Sequence, residues 1–316
     1  LRALCGGLQT HGRQPHAIPD GQPHVPPYPP SIHRLLRTGQ VRVNGGRVRG
    51  NVRLAVGDGV RLPPVRLEPA AERTEARPFP PDTLVRAVRE RIAWRDEALL
   101  VLNKPAGLAV HSGSGTTWGA VDAVRRLLMW EESGLHPELC HRLDRDTSGC
   151  LLFALTPVAL RQMAAAFRTG TVEKVYLALV RGVPQPAEGL IDRPLTKGIV
   201  RAGERMVVST GQGLVARTRY RVITRFAGTS LVQVMPESGR THQIRVHFQS
   251  IGHPLAGDRK YGDTAFDGRM GRMGLHRLFL HAWRLSFPHP VTGLPMTVET
   301  PLDEALQRVL QGLSDV

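Results

Sequence analysis

His141-Arg142-Leu143-Asp144-Arg145-Asp146-Thr147-Ser148-Gly149 sets a carboxylate, Asp144, among three cations or potential cations, His141, Arg142 and Arg145. An apolar run, Cys150-Leu151-Leu152-Phe153-Ala154-Leu155, follows at once and is bounded by Gly149 and Pro157. Such a run reads as a strand buried on both faces. Asp144 therefore sits on a loop anchored by a rigid element, where reactive groups are often held. Charge pattern alone also fits an acidic turn residue neutralised by neighbouring arginines, because structural ion pairs are common.

Downstream, Thr156 can cap a helix that starts at Pro157 and stops at Gly170. Lys174 to Val180 alternates as a strand, with Tyr176 on the face of Lys174, Ala178 and Val180. Leu231-Val232-Gln233-Val234-Met235 reads as another strand, ended by the turn Pro236-Glu237-Ser238-Gly239. Thr241 can cap a helix running to about Ser250, with Ile244, Phe248 and Ile251 as its core side and His242, Arg245 and Gln249 on another. Upstream, residues 97–105 read as a first core strand stopped by Pro105. Strands and helices mix without a regular βαβ repeat, so the expected class is α+β with a mixed, mostly antiparallel central sheet.

Residues 1–30 are rich in Gly, Pro and His, and Pro23, Pro26, Pro27, Pro29 and Pro30 forbid a helix, so extended or disordered chain is expected there. Residues 32–37 read as a short basic helix, and Val41 to Val48 as a hairpin around Asn44-Gly45. Asp58-Gly59 marks a further turn. This block, residues 31–64, resembles the S4 RNA-binding module, which implies phosphate contacts from Arg34, Arg37, Arg42, Arg47 and Arg49. The module begins with an additional helix that residues 1–30 do not resemble, so a partial domain is expected. Residues 65–95 are expected to be a linker, Pro- and charge-rich up to residue 82 and then holding a short helix from Asp82 to Arg91; residues 96–316 are expected to form the catalytic domain.

The chain has 316 residues, enough for one large domain and a small one. Its 42 Lys and Arg outnumber 27 Asp and Glu, for a net charge of +15, which suits a polyanionic partner such as nucleic acid; a general compositional bias towards arginine is the alternative. Cys5, Cys140 and Cys150 form no CxxC pair, so a reduced, cytoplasmic chain is expected. No apolar stretch approaches the length of about 18 residues that crosses a bilayer, and no membrane association is expected.

HRLDRDTSG resembles the signature of the RluA-type pseudouridine synthases. Lys174-Val175-Tyr176-Leu177-Ala178-Leu179-Val180-Arg181-Gly182 and Gly239-Arg240-Thr241-His242-Gln243-Ile244-Arg245-Val246-His247 match two further motifs of that family in order, and Arg277-Leu278-Phe279-Leu280-His281-Ala282 its last block. Gly203-Glu204-Arg205 and Lys260-Tyr261-Gly262-Asp263 are similar to the long form acting on large-subunit (23S) rRNA. The resemblance implies a pseudouridine synthase sheet and isomerisation of a uridine without cofactor or metal. It implies RNA as partner, 23S rRNA or a ribosome assembly intermediate, and a monomer. A synthase for tRNA and a non-catalytic assembly factor are the alternatives.

By the same resemblance Asp144 is the catalytic carboxylate and Arg245 its partner, a guanidinium able to hold a carboxylate in bidentate fashion. Tyr176 is expected to stack on the flipped base, with a hydroxyl available for the C5 proton. Arg142 is expected to fill the gap left by the extruded uridine, and Leu278 and Phe279 to wall the base. Read alone, Arg245 fits a phosphate contact, and Tyr176, Leu278 and Phe279 fit core packing. His242 and His247 lie five apart without an adjacent Glu, which is not a zinc pattern. His111 to Gly115 lacks the P-loop's GK[ST] and is expected to be a flexible loop near RNA.

Overall fold

The computed structural model describes residues 35–36, 38–48, 52–62, 79–113, 116–201, 204–209, 211 and 213–314. They divide into two units, Leu1–Pro78 and Phe79–Val316.

In the first unit, β1 (Arg42–Val43) and β2 (Gly46–Arg47) form the expected hairpin. Asn44 and Gly45 turn it with φ of 48° and 79°, the pair of positive values that a tight hairpin turn requires. β3 (Val60–Arg61) adds to the other edge of β1. The Asn44 side chain ties the two ends together, donating to Asp58 at 2.8 Å and accepting from the Gly59 amide at 2.9 Å. The second turn closes slightly earlier than expected, with Gly57 at φ 99° and Asp58 accepting from the Ala55 amide. Residues 1–30 and most of the basic helix expected over 32–37 lie outside the described residues.

The second unit is built on a ten-stranded sheet. Its strands are β4 (Ile92–Arg95), β5 (Leu99–Lys104), β6 (Glu138–Leu139), β7 (Ser148–Ala154), β8 (Glu173–Arg181), β9 (Glu188–Asp192), β12 (Arg217–Phe226), β13 (Thr229–Pro236), β14 (Leu280–Pro288) and β15 (Pro295–Glu299). β10 (Leu195–Arg201) and β11 (Glu204–Ser209) form a separate antiparallel hairpin. The order is β4-β5-β7-β14-β8-β13-β12-β9, with β6 beside β7 and β15 beside β14. Every pair in this sheet is antiparallel except β7 with β14.

Helices cover both faces. α1 (Asp82–Arg89), α2 (Ala120–Trp130) and α3 (Pro157–Thr169) share one core with β5 and β7, whose Leu99, Leu102, Leu151 and Phe153 are fully buried. Alternation then sorts the remaining strands. Ala178, Val180, Val232 and Val234 meet Ile244 and Phe248 of α4 (Gln243–Ser250), while Leu179 and Leu231 meet Phe266 of α5 (Thr264–Arg272) and Leu306 of α6 (Glu304–Ser314). α3 begins and ends where its sequence marks it: Thr156 accepts from the Ala159 amide and Gly170 stops the helix at φ 78°. The expected linker over 65–95 gives way earlier. Val85 and Val88, one turn apart on α1, are buried, and β4 pairs with β5, so residues from 79 onward belong to the second unit.

The loop carrying Asp144 is latched at four points. The His141 Nε2 accepts the Leu152 amide at 3.1 Å, and its ring lies 5.1 Å from that of Phe167. Leu143 and Thr147 are buried. The buried Lys104 ammonium donates to the carbonyls of Pro105, Leu108 and Arg145, each at 2.9 Å. Burial, with Arg277 adding, pushes Lys104 down to about 7 against the pull of Asp146 and Asp144; three acceptors, one for each ammonium proton, favour the charged form. Ser148 accepts from Arg277 at 2.8 Å and donates to His281 Nδ1 at 2.8 Å, since His281 Nε2 donates to the Thr300 carbonyl.

Gly149 closes the set. At φ 108° it lies so near β14 that a Cβ there would stand 2.2 Å from the Ala282 oxygen. Gly149→Ala should cost more than about 3 kcal/mol in denaturant unfolding, from strain and backbone clash together. A second prediction concerns acid. Burial, with Lys174 adding and a backbone contact from Arg142 opposing, pushes His141 down from 6.5 to about 4. Between those values the unfolded chain binds a proton that the fold refuses, so the contribution is whole above 6.5 and is lost as pH falls towards 4. Lowering the pH from about 7.5 to about 5 should therefore destabilise the native protein by about 2 kcal/mol more than it destabilises His141→Gln.

Candidate active site

Asp144 opens into a cleft. Arg142, Leu143 and Thr147 line one side, Tyr176 and Leu280 the floor, and the turn from Pro236 into α4 the other side. The alternation of β8 turns the half-buried Tyr176 to this face of the sheet beside Val234, its partner in register. α4 does not start as expected. Thr241 is exposed and caps nothing, and the helix begins from His242 in a left-handed conformation at φ 55°. Gln243 braces the turn instead: its Oε1 accepts from Ser238 and the Arg240 amide, and its Nε2 donates to the Arg217 carbonyl and to Thr218. With residues 243–248 all buried, the helix has no free side until Gln249.

The expected bidentate pair between Arg245 and Asp144 does not form. Arg245 instead gives its Nε and Nη2 to Asp258, at 2.7 and 2.6 Å. Asp258 wins because it is buried and prepared: its Oδ1 also accepts the amides of Lys260 and Tyr261, both at 3.0 Å. Only Nη1 of Arg245 is left towards Asp144, 3.8 Å from Oδ2. His242 Nε2 lies 3.9 Å from the same oxygen. Both exceed hydrogen-bond length, and the Asp144 carboxylate accepts no hydrogen bond from the described residues. Positive charge is thus placed beside it without occupying its lone pairs.

Burial works against the Arg245 charge, but the hydrogen bonds and charge of Asp258, with Asp144 adding, outweigh it and push the guanidinium pKa up. The Tyr261 ring lies 5.0 Å from the guanidinium carbon, a further cation–π contact. Burial, with the Asp144 and Cys150 charges adding, drives the Tyr176 phenol far up, so it keeps its proton at neutral pH. That disfavours the phenolate that removal of the C5 proton by Tyr176 would need.

Arg142 lies exposed at the rim of the cleft. Leu278 and Phe279 do not line it. Leu278 packs against Ile244 and Phe248 beneath the floor, and Phe279 points to the opposite face among Leu179 and Phe266. Leu280, two residues on, is the apolar wall. In the first unit, Arg42 faces Arg47 on one side and Arg61 on the other, a basic row across three strands; Arg34, Arg37 and Arg49 lie outside the described residues, as do residues 114–115 of the loop expected near RNA. Sequence reading missed Asp258, His242, Lys104 and Leu280. Lys104 left a trace as a charge ending an apolar strand, and His242 and Leu280 fall within the motifs without a role assigned to them, whereas nothing marked Asp258.

A family model described as RNA pseudouridylate synthase matches residues 98–250. The chain is 46% identical over 284 residues to "Ribosomal large subunit pseudouridine synthase C" of Escherichia coli (strain K12), covering 89% of this chain and 87% of that protein. The protein of the same name from Haemophilus influenzae is 44% identical, covering 90% and 86%. Among solved structures, "Human RNA Pseudouridylate Synthase Domain Containing 4" superposes with a TM-score of 0.62 at 28% identity, over 74% of this chain and 96% of that one. "Human RNA Pseudouridylate Synthase Domain Containing 1" gives a TM-score of 0.55, also at 28% identity, over 71% and 94%. The four ordered motifs, the sheet and these likenesses agree, and the chain belongs to the RNA pseudouridylate synthase family.

Proposed function

We propose that this enzyme converts uridines of large-subunit (23S) rRNA to pseudouridine, with Asp144 as its catalytic carboxylate. The observation that carries the reading is a carboxylate that accepts no hydrogen bond from the described residues, 3.8 Å from a guanidinium, in an open cleft lined by Tyr176 and Leu280. The reaction breaks the N1–C1′ bond, turns the base and joins C5 to C1′, while N1 gains a proton and C5 loses one. Asp144 acts as nucleophile at C1′ or starts elimination; each route needs an ionised carboxylate with open lone pairs. RNA phosphates and desolvation push such a group towards protonation, and Arg245 opposes both.

Tyr176 supplies a flat face for the extruded uracil and a neutral hydroxyl donor, and Leu280 closes the apolar side. Asp144, released as the C5–C1′ bond forms, is the carboxylate at hand for the C5 proton. Arg142 at the rim takes the place the uridine leaves in the RNA stack, offsetting part of the few kcal/mol that flipping costs. Arg42, Arg47 and Arg61 contact phosphates, in rRNA or in an assembling large subunit. The protein works as a cytoplasmic monomer, and the name of its Escherichia coli relative supports the choice of large-subunit RNA.

Tritium release from large-subunit rRNA labelled at uridine C5 tests this reading. The wild type should release tritium, and Asp144→Asn should fall by at least about 10³-fold while binding the RNA with unchanged affinity. Full activity in Asp144→Asn overturns the assignment. Release from bulk tRNA in place of rRNA overturns the choice of RNA.

A further inference from the structure

Behind the cleft, a chain of hydrogen bonds runs from the β10–β11 hairpin to His242, whose ring faces Asp144. The Val207 amide of β11 donates to the Tyr261 hydroxyl at 3.0 Å, and that hydroxyl lies 2.8 Å from His242 Nδ1. Tyr261 is 2% exposed and packs with Leu195, Val207 and Val246. Its oxygen accepts the Val207 amide, and its own proton meets no other acceptor among the described residues, so it is donated to His242 Nδ1. A neutral imidazole then carries its hydrogen on Nε2, the atom that faces Asp144 Oδ2 at 3.9 Å.

The groups around the ring keep it neutral. Burial lowers its pKa and Asp144 raises it; Arg245 and Lys260 lower it further, with Asp258 weakly opposing. The backbone adds a second mark. His242 is one of three non-glycine residues at positive φ among the described residues, and it sits at the mouth of the cleft. A left-handed conformation persists where the surroundings enforce it, and such residues cluster at functional sites.

We propose that His242 is a positioning residue for Asp144: locked by Tyr261 with its hydrogen on Nε2, it closes on Oδ2 once substrate fills the cleft, leaving Oδ1 for the ribose. This rests on the reading of Asp144 as the catalytic carboxylate. Arg245 offers Asp144 only Nη1, because its other two nitrogens are committed to Asp258, so the fixed imidazole supplies the second donor aimed at Oδ2. The tether to Val207 makes the hairpin part of the device, so its seating on α4 bears on the aim of the carboxylate 

Two measurements test the proposal on the full chain. Nitrogen-15 NMR of labelled histidine, assigned by the signal lost in His242→Gln, should show the neutral Nε2–H form, and Tyr261→Phe should admit the Nδ1–H form. An Nδ1–H ring in the wild type overturns the proposal whatever the RNA substrate proves to be. Single-turnover tritium release should fall at least about tenfold in His242→Ala at unchanged RNA affinity. His242→Gln, whose amide nitrogen replaces Nε2, should recover most of that loss, and Tyr261→Phe should fall part of the way. Equal losses in Ala and Gln, or a rate within about twofold of wild type in folded His242→Ala and Tyr261→Phe, overturn it. If Asp144→Asn kept its activity, the reading of Asp144 would fail first, while the tautomer result would still stand or fall by itself.

Discussion

A buried carboxylate outside the lining of the cleft governs this site. Asp258 holds Arg245 by two charge-assisted hydrogen bonds, and two backbone amides hold Asp258 in turn. An arginine free to choose would close in bidentate fashion on Asp144, the partner its sequence position suggests, and would bury the lone pairs that the chemistry requires. Committed to Asp258, it offers Asp144 charge at 3.8 Å and little else. Removing one partner of such a buried pair leaves an uncompensated charge, so neither Asp258 nor Arg245 is readily lost from it.

The rest of the fold serves to bring that pair to Asp144. β7 and β14 meet as the one parallel pair of the main sheet, where Gly149 lets the backbones touch and Ser148 joins His281. The loop carrying Asp144 is thereby fixed to the strand whose first residue, Leu280, lines the cleft. From the other side of the cleft, Gln243 anchors α4 to β12 and sets the height at which Arg245 projects. Lys104 ties the loop to the end of β5. Strands distant in sequence thus meet within one substrate's reach.

Local physics was legible in the residues. The cap, proline and glycine of α3, the Asn44-Gly45 turn and the all-buried β7 each depend on neighbours a few positions away, and each lies where those neighbours put it. Long-range choices were not legible. Nothing near Arg245 marks Asp258, 13 residues on, as its partner rather than Asp144. The cap of α4 passed from Thr241 to a left-handed His242 because Gln243 satisfied the turn through bonds to β12. Leu278 and Phe279 were misplaced for different reasons: Phe279 packs on the far face, while Leu278 shares the face of Leu280 but lies under α4, and only Leu280 reaches the cleft. Family motifs pointed to Asp144, and the structure places it in the cleft beside Arg245 and His242.

The most direct measurement is the single-turnover rate of Asp258→Asn on C5-tritiated large-subunit rRNA, taken beside its RNA affinity and its unfolding curve. Asparagine keeps the shape of Asp258 but not its charge, so Arg245 should turn to Asp144 and the rate should fall at least about tenfold at unchanged affinity in a folded protein. A folded Asp258→Asn variant turning over within about twofold of the wild type would contradict the account, because Asp144 would then not depend on where Arg245 is held.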